Sequence, residues 1–202
     1  MRRLIFAVMI IQFLLISLPA KSFCYAADPK LETAAKLETA PKLEVNWDYL
    51  TPYSNDRKLD TISLHIMEKI SATETRSVYR GITLTRSYGN VTLTNLHQHN
   101  SRESSAAGIG PFYMVRNEKY RSGKLSAAID MSGSLILYDK VFPAGGRPFD
   151  FMWRIGPQLI YKFSKNSTMN IGYMVMHVSD GLKTHNPGYN AHGFSLGFSA
   201  KL

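Results

Sequence analysis

Cysteine is almost absent: the chain of 202 residues has one, Cys24, so no disulfide can close within it. Metal-ligand spacing is also missing. The six histidines are scattered and no carboxylate triad accompanies them, so neither a metal nor a cofactor is expected. Acidic residues run out before the end, since no Asp or Glu follows Asp180. Long apolar runs are lacking except near the start, where Leu4 to Leu18 is broken only by Gln12 and Ser17. That run is short for a bilayer span, which takes about 20 residues. It follows the basic start Met1-Arg2-Arg3 and precedes small residues at Cys24 and Ala26. The stretch 1–26 therefore reads as a secretory signal peptide, with a transmembrane anchor as the alternative. Phe23 is too bulky before Cys24 for a usual lipoprotein site. Cleavage after Ala26 would remove the one cysteine.

Charge is moderate, with 24 Lys+Arg against 15 Asp+Glu, a formal +9. Loss of Arg2, Arg3 and Lys21 with the leader lowers it by three. Such a balance suits an anionic surface and does not by itself argue for nucleic acid, which is not expected as a partner. The length allows one domain. Residues 27–57 read as a low-complexity tether, because Lys30-Leu31-Glu32-Thr33-Ala34 recurs as Lys36-Leu37-Glu38-Thr39-Ala40 and Lys42-Leu43-Glu44 begins a third copy. A period of six fits neither a heptad nor a solenoid.

From residue 58 to 202 the dominant pattern is alternation. Ile62, Leu64 and Ile66 interleave with Ser63 and His65; Val78, Ile82 and Leu84, then Val91 and Leu93, interleave with threonines and other small or polar residues. Phe149, Phe151, Trp153, Ile155, Pro157, Leu159, Tyr161 and Phe163 share one face of a run whose other face holds Asp150, Arg154, Gln158 and Lys162. About eight such runs occur, several longer than the usual 5–6 residues. Long strands with one apolar, aromatic-rich face predict an all-β fold, an eight-stranded antiparallel transmembrane β-barrel of the bacterial outer membrane. A soluble sandwich or lipocalin-like barrel, with the apolar face inward, is the alternative. The leader, the polar strand face around Arg154 and an alternating last strand favour the membrane.

One polar pair interrupts a greasy face. Ile171, Tyr173 and Val175 lead to His177 and Ser179. Residues two apart on a strand share a face at a spacing of about 6.6 Å, close enough for an imidazole to lean toward a hydroxyl. With an even strand count both chain ends lie on the periplasmic side. Strand seven then climbs outward, the loop Asp180–Asn190 is extracellular, and the pair faces the outer leaflet. A hydroxyl–imidazole pair at acyl-chain depth points to the lipid itself as substrate.

The C-terminal half, roughly 106–202, resembles the PagL-type lipid A 3-O-deacylases, known more broadly as acyloxyacyl hydrolases. The resemblance is carried by Phe142-Pro143-Ala144-Gly145-Gly146, by Gly156-Pro157 with Tyr161, by Ile171-Gly172-Tyr173 through His177-Val178-Ser179-Asp180-Gly181, by Asn186-Pro187-Gly188-Tyr189-Asn190, and by a Gly-rich last strand. It implies hydrolysis of the ester-linked acyl chain at the 3-position of lipid A, with lipopolysaccharide as substrate. It also implies Ser179 as nucleophile, His177 as general base, and the backbone of Gly181 with the side chain of Asn186 at the oxyanion. No metal is implied, and a homodimer is compatible with the family. One position departs from the pattern: where the family carries a Glu that orients the base, this chain has Asn190. Asp180 could serve instead, although alternation turns it to the other face. Read without the resemblance, Asn186-Pro187-Gly188 and Phe142-Pro143-Ala144-Gly145-Gly146 are turns, His185 and His192 are loop surface, and Trp153, Tyr161 and Tyr173 are belt aromatics. Two other functions stand beside the esterase: a non-enzymatic structural or adhesive outer-membrane barrel, and a soluble exported barrel that binds a hydrophobic ligand.

Overall fold

The computed structural model describes residues 42–53, 57–95, 98–182, 184 and 186–201. The expected leader, 1–26, and the part of the expected tether before residue 42 lie outside the described residues. Strand follows strand: β1 (Lys42–Pro52), β2 (Arg57–Ala72), β3 (Arg76–Asn95), β4 (Gln98–Glu103), β5 (Ala106–Ser122), β6 (Leu125–Phe142), β7 (Arg147–Lys162), β8 (Ser167–Ser179) and β9 (Tyr189–Lys201). Neighbours pair antiparallel, and β1 pairs with both β2 and β9, which closes the sheet. β4 and β5 both pair with β3 and act as one barrel strand interrupted at Ser104-Ser105. The barrel therefore has eight strands, as expected. At the interruption Ser104 N–H donates to Gly89 O at 2.8 Å. Gly89 has φ 143° and its Cα lies against the Lys58 carbonyl, so no side chain fits there.

Two boundaries differ from the sequence reading. β1 lies inside the stretch assigned to the tether, so the barrel begins at residue 42 rather than 58. The third copy of the repeat opens this strand: Glu44 and Asp48 are buried on the lumen side, while Trp47 and Tyr49 face out. The runs at 78–85 and 91–94 are parts of one strand, β3. Its alternation leaves Ile82 and Leu84 exposed outside and Val91 buried inside.

The apolar face is the outer one. Phe194 is 64% exposed, Leu137 59% and Ile171 50%, which is opposite to what a soluble barrel with an apolar lumen requires. The lumen is packed and largely polar. Arg116 donates to Glu44 and Asp130 at 2.8 Å each, tying β5 to β1 and β6, and Asn170 on β8 donates to Glu44 at 2.9 Å. Arg154 pairs with Asp48 and donates to Ser132 Oγ at 3.1 Å. His65 bridges Asp48 and Thr83. Buried pairs of this kind fix which strands face each other more than they add stability. At the β8–β9 loop end the lumen is filled by an apolar cluster that includes Leu50, Leu59, Ile136, Phe142, Met152, Met174, Met176 and Val178.

Candidate functional site

The apolar cluster sets the face of every residue at the end of β8. Met174, Met176 and Val178 are buried in it, and Asp180 continues the inward series. A strand alternates, so His177 and Ser179 are held on the outer face with Tyr173 and Val175. Across the ladder the register pairs His177 with Trp153 on β7 and with Asn190 on β9, and Ser179 with Phe151. The Trp153 ring lies 5.8 Å from the His177 ring. His177 and Ser179 are half-buried, and among the described residues no hydrogen bond joins their side chains.

His177 Nδ1 lies 2.7 Å from Asn190 Oδ1. The amide oxygen can only accept, so the bond places the proton on Nδ1 and leaves the Nε2 lone pair free. Asn190 is itself well held. Its carbonyl accepts Tyr53 N–H at 3.0 Å, and the preceding Tyr189 is buried with its hydroxyl 2.9 Å from Thr61 Oγ1 and 3.0 Å from Ser87 Oγ.

Between β8 and β9 the loop is closed by side chains. Asn186 Oδ1 accepts Asp180 N–H at 3.3 Å and Gly188 N–H at 3.4 Å, while its Nδ2 donates to Leu182 O at 3.0 Å. The structure thus gives Asn186 a loop-closing place, with its amide group directed at backbone. Gly181 has φ 74°, the left-handed region that favours glycine. Among the described residues its N–H meets no acceptor. Asp180 is buried and turned inward, as alternation predicts. It accepts Leu182 N–H at 2.8 Å and lies 3.2 Å from Arg147 Nε. It is therefore on the wrong face to orient His177.

The reading of His192 as loop surface is corrected: it lies within β9, two residues past Asn190 on the same outer face. It contacts the Tyr173 hydroxyl, and its ring stands 4.3 Å from that of Tyr53. The signal was present in the sequence, because Asn190, His192 and Phe194 already alternate. His185 lies outside the described residues. Arg147 and Tyr53 were also missed, since a lone Arg after a turn and a Tyr at a strand end have no distinguishing pattern. Among the described residues, no group of three or more His, Cys, Asp or Glu is placed to hold a metal ion.

The family model described as lipid A 3-O-deacylase (PagL) matches residues 41–199, from the start of β1 into the end of β9, and includes every residue of the site. Among solved structures the chain is similar to the crystal structure of the outer membrane enzyme PagL, at 12% identity and a TM-score of 0.49, covering 80% of this chain and 99% of that one. It is also similar to the solid-state NMR structure of the outer membrane protein AlkL in DMPC lipid bilayers, at 11% identity and a TM-score of 0.34, covering 89% and 96%. No curated protein sequence matches it. The family match over nearly the whole barrel decides the assignment: the chain belongs to the lipid A 3-O-deacylase (PagL) family, a family of ester hydrolases.

Proposed function

We propose that this protein cleaves the ester-linked acyl chain at the 3-position of lipid A in the outer leaflet of the bacterial outer membrane, using Ser179 and His177. The observation that carries the reading is the 2.7 Å contact between His177 Nδ1 and Asn190 Oδ1, made on the lipid-facing side of the barrel beside Ser179. Ser179 Oγ attacks the ester carbonyl carbon while its proton passes to His177 Nε2. The carbonyl electron pair becomes an oxyanion, and Gly181 N–H is available to donate to it. Such a donor typically contributes about 3 kcal/mol. Collapse breaks the bond to the sugar oxygen, which leaves with the proton from Nε2. A water, deprotonated by the same imidazole, then releases the fatty acid and restores Ser179. His177 and Ser179 sit two positions apart, about 6.6 Å along the strand, and substrate binding draws their side chains together.

Asn190 favours a second reading. A carboxamide fixes the imidazole tautomer but does not offset the imidazolium charge formed in each step, which suits a barrel that keeps the fold without the reaction. Mass spectrometry of lipid A decides between them. Cells with wild-type protein are expected to lose one acyl chain from lipid A, and cells with Ser179→Ala to keep it. Identical spectra from two proteins that both show heat-modifiable migration would leave the structural barrel as the answer.

A further inference from the structure

We propose that Arg147, the first residue of β7, is a positioning residue that acts through Asp180 on the peptide carrying Ser179 and Gly181. The inference rests on Ser179 being the nucleophile. It gives a place to Phe142-Pro143-Ala144-Gly145-Gly146, which the proposed chemistry leaves unused.

Asp180 links Arg147 to Ser179. Its backbone follows Ser179 directly, and its buried side chain uses each oxygen differently. Oδ1 accepts Leu182 N–H at 2.8 Å, which closes a tight turn around Gly181. Oδ2 lies 3.2 Å from Arg147 Nε, an ion pair without hydrogen-bond alignment. One carboxylate therefore fixes the direction of the Gly181 peptide and ties that peptide to β7. The inward pull on Asp180 is also an outward hold on Ser179, because the two alternate across one strand end.

Arg147 is in turn set by the turn before it. Arg147 pairs with Phe142, Gly146 N–H donates to Pro143 O at 2.7 Å, and Ala144 N–H donates to Ser104 Oγ at 2.9 Å. The turn presses on the far side of the same loop: a methyl group on Gly146 would stand 3.2 Å from Pro187 Cδ. Phe142, fully buried, packs edge-on to Tyr189 with ring centres 5.9 Å apart. The segment 142–147 thus supports both ends of the β8–β9 loop, Arg147 at Asp180 and the turn at Pro187 and Tyr189.

Charge makes Arg147 hard to replace. The register that pairs Phe151 with Ser179 brings Asp150 beside Asp180, and Asp150 is also buried. Without Arg147 the buried Asp180 carboxylate loses the cation beside it and must take up a proton or shift, and Ser179 shifts with it.

The test uses the full-length protein refolded into lipid vesicles, with kcat and KM measured on lipopolysaccharide for wild type, Arg147→Met, Arg147→Lys, Asp180→Asn and the double variant. Arg147→Met is expected to lower kcat roughly 10- to 100-fold, the scale of a small misplacement of reacting groups, with KM nearly unchanged. Arg147→Lys is expected to recover part of that loss. The Arg147→Met/Asp180→Asn double variant should be little worse than either single one, as for two residues on one path. A wild-type kcat in Arg147→Met, additive losses in the double variant, or a raised KM at constant kcat would overturn the proposal. The last would mark Arg147 as a contact for an anionic headgroup. Heat-modifiable migration reports folding; if Arg147→Met and Arg147→Gln both fail to fold, Arg147 serves the barrel and the positioning role is rejected. An inactive wild type, equal to Ser179→Ala, would instead reject the esterase reading.

Discussion

Asn190 stands directly opposite His177 on the β8–β9 ladder, and the two side chains meet at 2.7 Å. The contact is a product of register. A slip of one residue in β9 would turn Asn190 into the lumen, and that slip is opposed by the buried Tyr189 and Ala191 on either side of it.

Because the amide orients the ring without balancing its charge, Asn190→Glu is expected to keep or raise the rate of acyl release, by about tenfold where imidazolium formation limits the reaction. Asn190→Leu, which removes the acceptor, is expected to lower it by about 100-fold. Initial rates on purified lipopolysaccharide measure both. Complete loss of activity in Asn190→Glu would remove this residue from the orienting role.

Asn186→Ala opens the β8–β9 loop by freeing Asp180 N–H, Gly188 N–H and Leu182 O together. A fall in kcat of about 100-fold is expected, the scale seen when an oxyanion site is lost. Asn186→Asp keeps the accepting oxygen and loses the donor, so an intermediate fall is expected if loop closure is the main role. A loss as deep as that of alanine would show that the donated N–H matters more.

Arg116→Met strands Glu44 and Asp130 as buried charges in the lumen. Unfolding in lipid vesicles, followed by urea titration and gel migration, should show a stability loss of about 3–5 kcal/mol. Neutralising both carboxylates in the same chain, with Glu44→Gln and Asp130→Asn, should recover much of it. No recovery would mean that the loss comes from packing rather than charge.

Much of the architecture could be read directly from alternation. The long faces of β6, β7 and β9 are exposed and apolar as expected, and His177 and Ser179 end the outer face of β8. Two things escaped. β1 opens on the third Lys-Leu-Glu copy, so the repeat hid it in the tether, and its inward Glu44 and Asp48 meet arginines that lie across the lumen. Contacts between distant segments are equally silent in sequence: nothing near Arg147 or in the glycines before it announces Asp180, and nothing in Tyr53 announces Asn190. Alternation reports a residue's face, whereas its partner depends on how the sheet closes.

The closed lumen has a kinetic consequence. Among the described residues the lumen is filled by charged pairs and, at the loop end, by an apolar cluster, and the proposed site stands on the barrel's outer wall. Reactant, fatty acid and trimmed lipid would then all travel in the plane of one leaflet. Turnover would follow the mole fraction of substrate among its neighbouring lipids rather than its bulk concentration, and diluting the leaflet with inert lipid would act as a competitive inhibitor does in solution.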